Sequence, residues 1–245
     1  MNNKTNWIRK LTPGAIRKLQ RYLRDKNVAR TFHSLSNGEA FDKIYNEKLW
    51  GKGNGGIFYS GAGSHRDEVV TAYVSSVIDF VKSHPDIKTA VDLGCGDFNI
   101  GRQLHAHFSS YDAIDVSSII IEQNKKSFYS SGLAFHHLSI TKDELPKADV
   151  AFVRQVLQHL SNADIRRFLD NIDGKYRYLI VTETTNDSKR SVPNKDIVTG
   201  PGVRFHKKSS VNLTKSPFHL KYKNQIEICS VSVGREKIVT VLYEL

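Results

Sequence analysis

The residues with the clearest chemical signature run Val91-Asp92-Leu93-Gly94-Cys95-Gly96-Asp97-Phe98-Asn99. A short apolar run over 89–93 reads as a buried strand, and the pattern over 100–108 reads as a helix. In an open α/β sheet such a strand-turn-helix junction puts a ligand beyond the carboxyl end of the strand, where glycines permit a tight turn and close backbone approach. Asp115 ends the next strand, 21 residues after Gly94. A carboxylate placed there can accept both hydroxyls of an adenosine ribose. Asn99 stands where a dinucleotide fingerprint needs its third glycine, and no lysine followed by serine or threonine completes a phosphate-cradling loop. Asp92 and Asp97 make the turn acidic. That suits a cofactor carrying a sulfonium and an ammonium group better than a pyrophosphate.

The elements that must position these residues alternate strand and helix from residue 88 onward. Strands are predicted at 111–116, 133–138, 149–153 and 176–182, and helices at 118–129 and 163–172. That succession implies a parallel sheet covered on both faces. The segments 218–229 and 237–243 read as two further strands joined around Gly234 with no helix between them, an antiparallel hairpin ending the sheet. A helix is predicted at about 66–84. Upstream, residues 37–66 are dense in glycine and aromatics (Trp50, Gly51, Gly53, Phe58, Tyr59, Gly61, Gly63) and read as a connector or lid. The expected organisation is an N-terminal extension over 1–65 and a ligand-binding domain over 66–245.

Bulk properties narrow the function classes. Of the chain's net charge of +11, residues 1–30 carry +8, from nine basic side chains against Asp25 alone. The basicity therefore belongs to an arm. Thr12-Pro13 is a good helix start, and Ala15, Ile16, Leu19, Tyr22 and Leu23 recur at helical spacing. Such a basic amphipathic helix either contacts an anionic membrane face or an acidic partner, or packs its short apolar stripe on the domain. No run of about 18 apolar residues occurs, the first residues lack a secretory-signal pattern, and the two cysteines fit a reducing compartment. A cytoplasmic location is expected, with peripheral contact at the inner membrane face if the arm binds lipid. No metal-ligand spacing is present.

Val-Asp-Leu-Gly-Cys-Gly-Asp resembles the first motif of class I SAM-dependent methyltransferases, and Ala113-Ile114-Asp115-Val116-Ser117 resembles the second. The stretch 149–161, with Val156-Leu157-Gln158-His159-Leu160-Ser161, is similar to the motif after strand four of that superfamily. The resemblance spans about residues 66–245. It implies a Rossmann-like α/β fold, a seven-stranded, mostly parallel sheet with a C-terminal antiparallel hairpin, and S-adenosyl-L-methionine (SAM) as cofactor. Tyr59-Ser60-Gly61-Ala62-Gly63-Ser64 with the basic arm is also similar to a group of small bacterial methyltransferases associated with surface-polysaccharide biosynthesis.

The resemblance implies roles residue by residue. Gly94, Cys95 and Gly96 admit the cofactor to the backbone, with Asp97 completing the turn. Asp92 anchors its amino group, Asp115 its ribose and Val116 its adenine. Ser139 and Ile140 sit at the adenine edge, and Arg154 and Gln155 face the methionine end and the substrate. Phe98 stands where many relatives have glycine.

Methyl transfer is an in-line displacement that needs alignment and, for a hydroxyl acceptor, proton removal. His159 is the first candidate for the base, although relatives with a histidine base carry it one position earlier, at Gln158; the other reading of His159 is a packing residue. Glu183, at the end of the fifth strand, and Arg154 are further catalytic candidates. Tyr59, Ser60, Ser64 and His65, together with Arg204 in the basic connection over 184–217, are candidate substrate contacts. The expected reaction is O-methylation of a small molecule or of a sugar or glycan precursor with anionic character. The alternative is an RNA or protein methyltransferase that uses the arm for phosphate or partner contacts. Nucleic acid is the less favoured partner, because the body lacks a broad basic-aromatic face.

Overall fold

A computed structural model describes residues 26–53, 58–186 and 191–245. Its centre is one seven-stranded sheet in the order β3-β2-β1-β4-β5-β7-β6. The strands are β1 (Thr89–Leu93), β2 (Ser110–Asp115), β3 (Leu133–His137), β4 (Ala148–Arg154), β5 (Tyr176–Thr185), β6 (Asn224–Val233) and β7 (Glu236–Glu244). The first five are parallel, and β7 inserts antiparallel between β5 and β6. This is the Rossmann-like arrangement expected from the sequence.

Strand alternation sorts the side chains onto two faces. From β1, Val91 and Leu93 enter a core with Phe168 and Ile172 of α5 (Asn162–Ile172), while Ala90 enters a second core with Tyr73, Val77 and Phe80 of α2 (Asp67–Ser83). Asp92 points to that second face too, with no apolar reason to be there. Beyond the short α3 (Gly101–Leu104), α4 (Ser118–Ser127) supplies Ile120 and Ile121. The chain order reverses between β1 and β4, so their carboxyl ends splay apart and leave a crevice.

Two expectations are corrected. Residues 37–46 are not connector: Asn37–Asn46 forms helix α1, opened by a capping box in which Ser36 and Glu39 exchange side-chain and backbone bonds. Its buried residues Ala40, Phe41, Ile44 and Tyr45 face the body of the protein. The sixth strand begins at Asn224 rather than 218. Phe218 and Leu220 instead pack inward beside Leu213, whose carbonyl accepts from the Leu220 amide at 2.8 Å. The amphipathic helix expected after Thr12-Pro13 lies outside the described residues, which begin at residue 26; residues 26–32 are helical. Among the described residues no helix is long and apolar enough to cross a membrane.

Helix α1 crosses the carboxyl edge of the sheet and is tied down at both sides. Asp42 accepts from the hydroxyls of Ser117 (2.5 Å) and Ser118 (3.1 Å) at the start of α4. At its other end Asn37 donates to Asp164 of α5 at 3.3 Å. The crevice is thereby roofed.

Candidate active site

The turn after β1 is held by one acceptor: the amides of Gly94 and Cys95 both donate to the Ile114 carbonyl, at 2.8 and 2.9 Å. Gly94 has φ 92°, and a Cβ on it would lie 2.5 Å from Cγ2 of Val156. Gly96 has φ 54°, and its Cβ would lie 2.3 Å from the Ser60 hydroxyl. Neither position has room or conformational freedom for a side chain. Phe98, in the place of a glycine, keeps a left-handed φ of 60° and drives its fully buried ring into the second core.

Asp115 lies behind this turn. Its two oxygens accept from the amides of Gly96 (3.0 Å) and Ser117 (2.9 Å), so each retains capacity for one more donor. Burial pushes its carboxyl up to about 6 against the pull of those amides. Asp92 is pushed further, to about 7, again by burial, with the Tyr111 hydroxyl at 3.1 Å working the other way. Both carboxylates line one cleft with Gly94, Gly96, Val116 and Ile140. Cys95, Ser139, Arg154 and Gln155 also line it. Two buried, under-compensated carboxylates beside two glycines fit a ligand that brings hydroxyls and positive charge. SAM does so through its ribose and its ammonium and sulfonium groups.

A second chamber adjoins the cleft and is lined on one side by residues of the segment 197–207. Trp50, Ser60, Ser64, Gln155 and His159 line both spaces and so form the seam. The His159 ring lies 4.8 Å from that of Trp50, whose indole donates to the Pro201 carbonyl. Its Nδ1 is 3.1 Å from the Gly202 carbonyl. A carbonyl can only accept, so Nδ1 carries the proton and Nε2 keeps the lone pair. Burial lowers its pKa to about 4, which leaves the ring neutral near neutrality.

Other expected site residues do different work. Asp97 does not line the cleft. Its Oδ2 accepts from the Ser60 amide (2.8 Å) and faces His65 Nε2 at 2.6 Å, anchoring the glycine-rich strap 59–65. His65 is thereby turned away from both spaces, with Tyr59 stacked on it at 4.4 Å. Of the four expected contacts on this strap, only Ser60 and Ser64 line the cleft and chamber.

Glu183 is not a wall of either space. Its oxygens accept from the amides of Leu157 (2.8 Å) and Gln158 (3.2 Å), bracing the turn that carries His159. Burial nevertheless pushes its carboxyl up to about 8. Arg204 is fully buried, and its guanidinium donates to the carbonyls of Leu160 and Lys195. It acts as a strut of the 191–217 segment, and it lines neither the cleft nor the chamber.

The sequence reading missed the residues of α1 that roof the cleft: Asn37, Phe41 and Tyr45. The Ser36-x-x-Glu39 capping box was the available signal. Tyr73 and Tyr111, which line its inner end, sit at unremarkable core positions in α2 and β2 and gave no signal. Among the described residues no cluster of histidine, cysteine or carboxylate side chains could hold a metal.

Residues 91–175 match the family model of a methyltransferase domain, Methyltransf_12. No curated protein matches the chain. Among solved structures, the N-methyltransferase NodS from Bradyrhizobium japonicum, in complex with S-adenosyl-L-homocysteine, superposes with a TM-score of 0.57 at 13% identity, covering 84% of this chain and 98% of that one. A SAM-dependent methyltransferase from Leishmania major gives 0.59 at 14% identity, covering 88% of each chain. Human N-acetylserotonin methyltransferase in complex with SAM gives 0.53 at 17% identity, covering 89% of this chain and 61% of that one. These likenesses share the fold, and the domain match falls on the segment that begins at β1 and builds the cleft. The chain therefore carries a methyltransferase domain match over residues 91–175 and has the fold of the SAM-dependent methyltransferases it resembles.

Proposed function

We propose that the chain is a SAM-dependent methyltransferase that methylates a hydroxyl group of a small molecule, a sugar or glycan precursor with anionic character, held in the second chamber. The observation that carries this reading is the position of His159 at the seam between cleft and chamber, neutral and with its proton committed to the Gly202 carbonyl.

When bound, SAM supplies a methyl group on positively charged sulfur, activated for in-line displacement. Asp115 would hold the ribose through the acceptor capacity left on each oxygen, and Asp92 would attract the ammonium group. Gly94 and Gly96 let the backbone close on the cofactor. His159 Nε2 would take the acceptor's hydroxyl proton while the methyl group passes from sulfur to oxygen, the S–C bond breaking as the C–O bond forms and S-adenosylhomocysteine departing as the neutral thioether. Its low basicity is tolerable, because the proton becomes acidic only as the oxygen loses electron density to the methyl carbon. The amides of Gln155 and Gln158 offer donors and acceptors for neighbouring hydroxyls, while His206 and Lys207 on the chamber wall favour an anionic group against the single carboxylate of Glu236.

The test is a homocysteine-product assay over matched neutral, uronic and phosphorylated sugars, with product masses locating the methyl group. His159→Phe keeps the packing against Trp50 and removes the lone pair. We expect kcat to drop about 10²-fold or more, the usual scale for a general base, with S-adenosylhomocysteine affinity held within a few-fold. Unchanged kcat in this variant would remove His159 from the chemistry, and methylation confined to amines would overturn the hydroxyl assignment.

A further inference from the structure

Arg154, the last residue of β4, is among the described residues the one strongly basic group on the wall of the cofactor cleft, and it is only 8% exposed. Its hydrogen bonds go to neutral acceptors: Nη1 to the Ser64 hydroxyl at 3.1 Å and Nη2 to the Gly63 carbonyl at 2.6 Å. The guanidinium carbon lies 5.0 Å over the Tyr73 ring. Its Nε–H is buried with no acceptor at all. Among the described residues no carboxylate forms an ion pair with it. Asp92 and Glu183 act on it only at longer range.

A guanidinium stays charged under any condition in which the protein folds. A buried charge with no counter-ion is costly, and such groups are normally paired. Arg154 therefore has the standing of half an ion pair whose other half enters the cleft from outside. SAM carries a single anionic group, the α-carboxylate of its methionine end. Asp92 lies on the neighbouring strand β1, with Tyr111 and Tyr73 lining the same inner end of the cleft.

We infer that Arg154 is the anchor of the cofactor's α-carboxylate, so that Arg154 and Asp92 together read the zwitterionic methionine end. Arg154 is thus a cofactor-binding residue rather than a catalytic one. A guanidinium fork matches a carboxylate, and its unused Nε–H is the donor that such a pair needs. The same guanidinium also ties down Gly63 and Ser64, which wall the acceptor chamber. The carboxylate end of the cofactor is in this way linked through one side chain to the strap beside the acceptor. The assignment concerns the cofactor alone and stands whether or not the acceptor is a hydroxyl.

The experiment is calorimetric titration with two ligands, S-adenosylhomocysteine and 5′-methylthioadenosine, which lacks the amino-acid end. It is run on the wild type and on Arg154→Met and Arg154→Lys. We expect Arg154→Met to weaken S-adenosylhomocysteine by about 10- to 100-fold, the scale of a charge-assisted hydrogen-bonded pair, and 5′-methylthioadenosine hardly at all. Arg154→Lys should fall between. Equal weakening of both ligands would reduce Arg154 to a brace for the strap and overturn the assignment. Should the variants not fold, the wild type decides with S-adenosylhomocysteine against its decarboxylated analogue. Weaker binding of the analogue by a similar factor supports the pair, and equal binding overturns it.

Discussion

Ser60 and Asp97 exchange two hydrogen bonds of 2.8 Å, the Ser60 amide donating to the Asp97 carboxylate and the Asp97 amide to the Ser60 hydroxyl. This reciprocal pair clamps the strap 59–65 onto the glycine turn, and the absence of a Cβ on Gly96 is what lets the hydroxyl approach. Ser60→Ala removes the acceptor for a buried amide and the partner of the Tyr45 hydroxyl at 3.1 Å. It should cost about 1–3 kcal/mol, the penalty for an orphaned buried donor, and lower the urea midpoint accordingly. An unchanged midpoint would mean that the strap is held by other contacts.

Gly94 packs directly against Val156 on the cleft wall, and the two can be tested as a pair. Gly94→Ala meets Cγ2 of Val156 at 2.5 Å and keeps a φ of 92° that L-residues avoid. S-Adenosylhomocysteine binding should fall by at least tenfold, since about 1 kcal/mol of backbone strain adds to the clash. Val156→Ala in the same chain relieves the clash and not the strain, so part of the affinity should return. If the double variant binds no better than Gly94→Ala, the loss does not come from this contact.

The sheet and its first turn were legible because strands buried on both faces read as short apolar runs, and β1 was placed to the residue. Helix α1 was not. Only a few of its ten residues are apolar, and the glycines and aromatics that follow it dominate the local composition, although Ser36 and Glu39 carried the start signal. The first residues assigned to β6 misled in the other direction. Phe218 and Leu220 are apolar because a turn buries them, whereas β6 is an edge strand with exposed polar residues at its start.

Within the site, residue types pointed to the right neighbourhood but not to the direction of each side chain. Glu183 and Arg204 both lie near the reacting edge, and both are turned onto backbone groups. What turns them is the fold of the turn 155–159 and of the 191–217 segment. No spacing in the sequence encodes that fold.

The two cleft carboxyls make a prediction about protons. Asp115 and Asp92 are pushed up by burial to about 6 and about 7, above the ordinary value of about 3.9 for an unfolded chain. The folded apo-protein therefore holds protons that the unfolded chain has released. Stability from these groups is fully present below about pH 4 and is lost as pH rises through 6 and 7. The cofactor's ammonium group favours the ionised forms, so binding should tighten across the same interval and expel protons near pH 6. Titration of S-adenosylhomocysteine in buffers of differing ionisation enthalpy measures that release. Proton uptake, or affinity flat from pH 5.5 to pH 7.5, would show that neither carboxyl meets the cofactor as an anion.

Arg204 separates a structural role from a substrate role. Its guanidinium joins the Leu160 carbonyl, just past the His159 turn, to the Lys195 carbonyl in the segment that goes on to line the second chamber. Arg204→Met keeps the apolar stem and leaves two carbonyls without their donor. The variant should lose about 2–4 kcal/mol of stability, as expected when one partner of a buried charged network is removed. The loss should be local at first, so limited proteolysis within 191–217 should accelerate before global unfolding. S-Adenosylhomocysteine binding should change little, because Arg204 does not line the cleft. A direct substrate contact would behave oppositely, with acceptor KM raised while the melting curve and the proteolysis pattern stayed as in the wild type.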